Sequence, residues 1–355
     1  MNAEERIQKW IEAGDETAIL ELSGLEIEEL PNSVQKLYLS FCNFKSKLPN
    51  SLQELYCSFL ECTNINDLPT NLQVLEYSYS QIETLPELPE SLKQLKIDSC
   101  FNLHYLPKLP THLQKLTLCD CPIKELPELP PNLQVLSCLN CFDLKELPEL
   151  PKSLQLLYCY YCSIKELPKL PESLVELCCS RCLNLEPLLQ LPNGIQKITL
   201  YNCNNIDSLP ELPLSLVELH CVNCPIKELP ELPLNLQIFE CQNCPINSFP
   251  DLPLSLIHFN CSACPIKCLP ELPILLEKIY FSDCINLEKI PKLPPLLKKL
   301  ICINCPIKSL PDLPPHLTHL SCSIEYLPML PIFVESMKCC NIKSLPPIIP
   351  EFTYL

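Results

Sequence analysis

The sequence predicts a repeat protein of the α/β repeat class, mostly β. The expected fold is a solenoid of short parallel strands with a polyproline-II-like convex side and a short N-terminal helical cap. Three observations predict it. A frame of 20 or 21 residues, LxxLxLxxCxIxxLPxLPxx, recurs along the chain. Its fourth and sixth positions alternate with polar neighbours, the period-two signature of a short strand. The chain has 40 Pro and only 3 Gly, and proline this frequent is compatible with strands only if it falls at fixed places outside them.

The elements follow in order. In residues 1–16, Ile7, Trp10 and Ile11 fall at i, i+3 and i+4, one face of a short helix. This segment is expected to cap the open end of the first coil, with a short docking motif the alternative, so the domain organisation is a cap over 1–16 and a solenoid over 17–355. Coils begin at Thr17, Val34, Leu52, Leu72, Leu92, Leu113, Leu133, Leu154, Leu174, Ile195, Leu216, Leu236, Leu256, Leu276, Leu297, Leu317 and Val334. In each, the strand ends near the cysteine, and an Ile or Leu two residues later returns to the core. Longer coils carry one extra residue after the cysteine, as in Cys141-Phe142-Asp143-Leu144 against Cys224-Pro225-Ile226. The LPxLP segment cannot join a ladder and crosses the opposite side. Ser153, Ser173, Ser215 and Asn235 precede the next strand, where a short polar side chain can bond a turn amide. The units from Leu317 and Val334 are shortened, which favours Phe352, Tyr354 and Leu355 folding over the last core as a minimal cap; the alternative is a frayed end prone to pair with another chain.

The frame resembles the leucine-rich-repeat family over residues 17–355. Its LPxLPxxLxxLxL cadence is similar to the short repeats of secreted bacterial effectors of the IpaH type. That resemblance implies repeats that recognise a protein target. In such effectors a separate C-terminal domain transfers ubiquitin through a catalytic cysteine. Here the repeat pattern runs to the last residue given, so ligase activity is not carried over. The family's ninth-position Asn, whose amide ladders between turns, is Cys in most coils.

Whole-chain numbers narrow the function. The net charge is −16 and no basic patch stands out, so nucleic acid and anionic membranes are not expected partners. Scarce glycine and the lack of G-x-G-x-x-G or Walker A motifs argue against nucleotide chemistry. The start, Met1-Asn2-Ala3-Glu4-Glu5-Arg6, has no signal-peptide character, and no apolar run suits a transmembrane helix. The 27 cysteines are therefore expected to be reduced thiols, and the location cytoplasmic, a host's cytoplasm for an effector of this kind.

Seven CxxC pairs, such as Cys138/Cys141 and Cys241/Cys244, have spacing that binds zinc. They fall at the sixth and ninth positions, however, and are expected as core, since buried Cys behaves as a small hydrophobe. His220 beside Cys221, and His258 before Cys261, should face away from those thiols. No catalytic, cofactor-binding or metal-binding residue is expected. Glu211, Glu231, Asp251 and Glu271 share one frame position and are expected to form a solvated face, with calcium a weak alternative. The best functional candidate is the concave strand face, where positions three, five, seven and eight point outward. It carries Tyr38, Phe41, Tyr56, Phe59, Tyr79, Tyr158, Tyr160, Tyr161, Tyr201, His220, His258 and Tyr280. Aromatics with polar tips suit interface anchors. The expected function is a non-catalytic protein-binding scaffold. The alternative is the substrate-recognition arm of a ubiquitin-ligase-type effector whose catalytic part lies elsewhere.

Overall fold

A computed structural model describes residues 2–44, 47–59 and 67–343. They group into two compact units that divide after Leu185, each a stack of coils. The first holds helix α1 (Ala3–Ala13) and strands β1 (Ile19–Ser23), β2 (Glu26–Ile27), β3 (Lys36–Ser40), β4 (Asn43–Phe44), β5 (Glu54–Ser58), β6 (Val74–Ser78), β7 (Gln94–Asp98), β8 (Lys115–Cys119), β9 (Val135–Leu139), β10 (Leu156–Tyr160) and β11 (Glu176–Ser180). The second holds β12 (Lys197–Tyr201), β13 (Glu218–Val222), β14 (Ile238–Gln242), β15 (His258–Asn260), β16 (Lys278–Tyr280), β17 (Lys299–Cys302), β18 (His319–Ser323) and β19 (Ser336–Cys340).

Within each unit successive coils pair in parallel with equivalent frame positions opposite one another. Leu37 faces Leu55, which faces Leu75; Leu219 faces Phe239, which faces Phe259. Sequence register thus becomes spatial register. The leucines of positions one and four, the Leu or Cys of position six, the cysteine of position nine and the Ile or Leu of position eleven are buried. In the second unit Phe239 and Phe259 stack with centroids 5.6 Å apart, and Phe249 meets both edge-on. Cys138, Cys141, Cys241 and Cys244 are buried thiols within this core. Burial pushes the Cys138 and Cys221 thiols up, which keeps them protonated.

The ninth-position thiols do more than fill space. Cys162 donates to the Cys138 carbonyl at 3.3 Å, Cys244 to the Cys221 carbonyl at 3.4 Å and Cys264 to the Cys241 carbonyl at 3.0 Å. Each reaches a carbonyl one coil back. The departure from Asn therefore keeps an inter-coil ladder, with a weaker S–H donor in place of an amide. The expected role of the serines also needs correction. Ser153 donates to the Leu133 carbonyl and Ser215 to the Ile195 carbonyl, both at 2.6 Å, so they tie neighbouring coils rather than bonding their own turn amide. Asn235 likewise donates to the Leu214 carbonyl at 2.9 Å. The extra residue of the longer coils is absorbed by a turn, with Leu144 N–H donating to the Cys141 carbonyl at 3.2 Å.

Helix α1 begins with a reciprocal capping box between Asn2 and Glu5 and ends at Gly14, whose φ of 70° suits glycine. It lies against the first coil: Trp10 Nε1 donates to the Ala18 carbonyl at 3.1 Å and Arg6 to the Glu21 carbonyl at 3.3 Å. Ile7 and Trp10 are half-buried. Ile11 remains 49% exposed, so the face formed by Ile7, Trp10 and Ile11 is only partly covered. The expected terminal cap of Phe352, Tyr354 and Leu355 lies outside the described residues. No helix among the described residues is long and apolar enough to cross a membrane.

Candidate functional site: the outward strand face and its flanking row

Positions three and five project from the strands as anticipated, while position eight obeys a different rule. It follows the strand and takes a left-handed backbone in nearly every coil. Asp120, Asn140, Asn202, Asn223, Asn243, Asp283, Asn304 and Asn341 all have φ between 48° and 67°, and Gly24 has φ 68°. Asn, Asp and Gly are the residues that tolerate this region. The coil from Leu317 lacks the turn, because the buried Ile324 takes the place. The position-eight amide still extends the ladder, as in Asn140 N–H to the Tyr160 carbonyl at 2.7 Å.

In the first unit this row holds aromatics. Phe41, Phe59 and Tyr79 have φ of 52°, 49° and 51°, conformations that bulky residues rarely adopt. Their rings form a stack: Phe41 to Phe59 is 4.4 Å with 7° between planes, and Phe59 to Tyr79 is 4.9 Å with 5°. They remain 64%, 41% and 51% exposed. Further along, Tyr161 has φ 53°, meets Tyr160 edge-on at 4.9 Å, and lies under the Arg181 guanidinium at 4.6 Å. Phe142, absent from the expected set, meets Tyr161 at 6.0 Å and is 61% exposed.

The strand-borne tyrosines are more restrained. Tyr38, Tyr56 and Tyr158 are half-buried. Tyr56 donates to the Glu54 carboxylate at 2.8 Å and Tyr158 to Glu176 at 3.1 Å. Burial, reinforced by those carboxylates, pushes both phenols up to about 12, so they act only as neutral donors. Tyr38 reaches the Ser58 hydroxyl at 3.4 Å.

In the second unit the outward face carries a charged network. His220 Nδ1 lies 2.9 Å from Glu240 Oε2, and His220 Nε2 lies 3.5 Å from Glu218, which also contacts Lys197 at 3.4 Å. His258 Nε2 is 3.4 Å from Glu240 Oε1, but that buried nitrogen makes no aligned hydrogen bond. The hydrogen bond to Glu240 raises the His220 pKa, whereas burial lowers that of His258. Glu240 is lowered in turn by His220. His258 stacks on Tyr280 at 5.2 Å, with Lys299 5.3 Å from the other ring's centroid, and Tyr201 is 36% exposed. His220 and Cys221 face opposite sides, as strand alternation requires.

Among the described residues, one group brings three metal-type ligand atoms within 4.8 Å of one another: Asp98, Cys119 and Asp120. The Cys119 thiol donates to Asp120 at 3.0 Å, and burial pushes it up to about 12. The row of Glu211, Glu231, Asp251 and Glu271 is exposed along the second unit.

Solved structures share this architecture. YopM from Yersinia enterocolitica WA-314 aligns with a TM-score of 0.74 at 25% identity, over 99% of this chain and 93% of that one. YopM from Yersinia pestis, described as a leucine-rich effector protein, gives 0.75 at 28% identity, over 95% of this chain and 92% of that one. The chain has the leucine-rich-repeat solenoid fold. The functional domain of InlJ from Listeria monocytogenes, which includes a cysteine ladder, shares the fold with a TM-score of 0.53 at 20% identity, over 87% of this chain and 68% of that one. No protein-family model and no curated protein matches the sequence. In this chain, positions one, four, six, nine and eleven serve the stack, and positions three, five and eight carry the residues described above.

Proposed function

We propose that this leucine-rich-repeat solenoid is a non-catalytic scaffold that binds another protein. It does so through the outward strand face, read from the sequence as the concave side, together with the left-handed row beside it. One observation carries this reading: Phe41, Phe59 and Tyr79 form an exposed ring stack at positions whose backbone favours Asn. A large aromatic there costs backbone strain and exposes apolar surface. It supplies rigid contact area with little rotamer entropy left to lose, which is what an interface anchor needs. Tyr158, Tyr160 and Tyr161 give a second cluster in the same unit. Cytoplasmic partners in a host fit the effectors to which the fold is similar.

Affinity capture from host cytosol tests the proposal. Wild type should retain partners that the triple substitution Tyr158→Ala, Tyr160→Ala, Tyr161→Ala, or Phe41→Asn with Phe59→Asn and Tyr79→Asn, loses while circular dichroism is unchanged. Each anchor removed should weaken binding by about 1–3 kcal/mol. Undiminished capture by both variants would move the interface off this face. Ubiquitin-transfer components among the captured proteins would mark a recognition arm instead.

A further inference from the structure

The tight turn that opens each strand has a tip whose residue nothing in the fold specifies. In Pro213-Leu214-Ser215-Leu216, the Leu216 N–H donates to the Pro213 carbonyl at 3.1 Å, and the same bond recurs from Leu236 to Pro233, Leu256 to Pro253 and Leu276 to Pro273. The first central residue of each turn points to solvent. At that place earlier coils carry Asn50, Thr70, Glu90, Thr111, Lys152 and Glu172. In four consecutive coils of the second unit it becomes Leu214, Leu234, Leu254 and Ile274, exposed by 66%, 73%, 70% and 62%. The turn does not need them, since polar residues make it equally well.

The first two tips are tied to the coil that follows: Asn235 donates to the Leu214 carbonyl at 2.9 Å and Ser255 to the Leu234 carbonyl at 2.7 Å. Three residues before each tip stands an acid: Glu211, Glu231, Asp251 and Glu271, all exposed. An aliphatic ridge and an acidic row therefore run side by side. The residue after each tip, Ser215, Asn235, Ser255 and the exposed Leu275, is uncharged.

We propose that this ridge is a second docking surface, separate from the outward strand face, and that it takes a basic amphipathic helix. Spacing and charge both select that occupant. Coils repeat at about 4.8 Å. A helix lying along the row offers one side chain per 5.4 Å turn, a mismatch of about 0.6 Å per coil. An extended strand repeats same-face side chains at about 6.8 Å and falls out of step by about 2 Å per coil. A second copy would match the spacing, but it would bring another chain of net charge −16 against an acidic flank. An anionic membrane meets the same repulsion. The four tips span about 14 Å, or about three helical turns. The partner helix thus presents apolar residues at i, i+4, i+7 and i+11 with Lys or Arg along one flank.

The test uses a fluorescent synthetic peptide of about 18 residues with Leu at those positions and Lys along one flank, titrated against the full chain by anisotropy. Saturable binding is expected, weakened at least tenfold by Leu234→Asp and again by Leu254→Asp. It should weaken several-fold with Glu231→Lys and with added salt. Lys152→Asp, at a tip of the first unit, and the Phe59→Asn variant should leave it unchanged, which separates this surface from the one proposed above. No binding at millimolar peptide, equal binding of a Glu-flanked peptide, or indifference to both Leu substitutions overturns the proposal. So does a wild-type dimer in sedimentation that Leu234→Asp dissociates, which would name the second copy as occupant.

Discussion

The ring stack of Phe41, Phe59 and Tyr79 sets two energies against each other, and Phe59 is the place to measure them. As the middle ring it has a stacked neighbour on each side, at 4.4 Å and 4.9 Å. Removing it forfeits about 0.5–1.5 kcal/mol per contact, so about 1–3 kcal/mol in all. Its φ of 49° carries a left-handed penalty of about 1–2 kcal/mol that Asn largely escapes. Phe59→Asn loses the first quantity and recovers most of the second, so its stability should lie within about 1 kcal/mol of wild type. Phe59→Ala loses the contacts and keeps the penalty, so it should be the less stable of the two by about 1 kcal/mol. Urea unfolding reads both. Trp10, the single tryptophan, bonds the Ala18 carbonyl at this end of the stack, so its fluorescence reports the coils in question. Equal stability of the Ala and Asn variants would show that the left-handed turn does not select its residue. A loss above about 3 kcal/mol in the Asn variant would show that the rings are core, and the exposed-anchor reading would fail with it.

Two further outcomes rest on the ladders. Cys244→Ala should cost about 1–2 kcal/mol by removing a buried donor, and Cys244→Ser should cost less because its hydroxyl still reaches the Cys221 and Gln242 carbonyls, each 3.4 Å from the sulfur; Ser no better than Ala in denaturant unfolding would sink the thiol ladder. In proton NMR titrations His220 should titrate above 6.5 and His258 below it, and Glu240→Gln should lower both, since the carboxylate favours each imidazolium; a reversed order, or a His220 indifferent to Glu240→Gln, would refute the network. The linkage signs oppose each other. His220 adds stability that is full below 6.5 and fades as pH rises through its raised pKa. His258 is half-buried, which disfavours its charged form, so it costs stability as pH falls from 6.5 through its lowered pKa.

How far the structure is legible from sequence depends on whether a feature is local. Burial of Leu219, Cys221 and Cys224 follows from alternation and proline punctuation within one coil, and the frame places all three correctly. Position eight is read as outward, and Phe41, Phe59 and Tyr79 are exposed there, but the frame alone does not give its left-handed backbone. The signal for that backbone lies in the sequence: Asn or Asp at 120, 140, 202, 223, 243 and 283 marks a left-handed turn. Tyr77 and Tyr79 show how sharply the frame divides like residues, since the first is 2% exposed in the core and the second 51% exposed in the ring stack. The His220–Glu240 pairing follows from frame position alone, since position-five residues of adjacent coils pair whatever the coil length, as Thr199 with His220 and His220 with Glu240. The direction of the thiol bonds is set by carbonyls one coil back, and no single coil contains that information.

A stacked solenoid turns each frame position into a row, so a choice repeated in sequence becomes a surface. The rows differ in how tightly physics holds them. Positions four, six, nine and eleven face the core, where a polar residue without a partner is costly. Position eight is held by backbone conformation alone, and the turn tip by little beyond solubility. Departures from the easy residue at these loosely held rows are therefore unexplained by folding. Aromatics replace Asn at position eight around Phe59, and aliphatics replace polar residues at the tips around Leu234. Each substitution works slightly against the isolated chain, the first through strain and the second through exposed apolar area. Each is also continuous over three or four coils, which a single chance replacement would not be. A surface that opposes the free protein's own stability or solubility and yet runs unbroken along the stack is best explained by what covers it. The two rows lie at different frame positions, one just after the strand and one just before it, so two occupants are easier to reconcile with them than one.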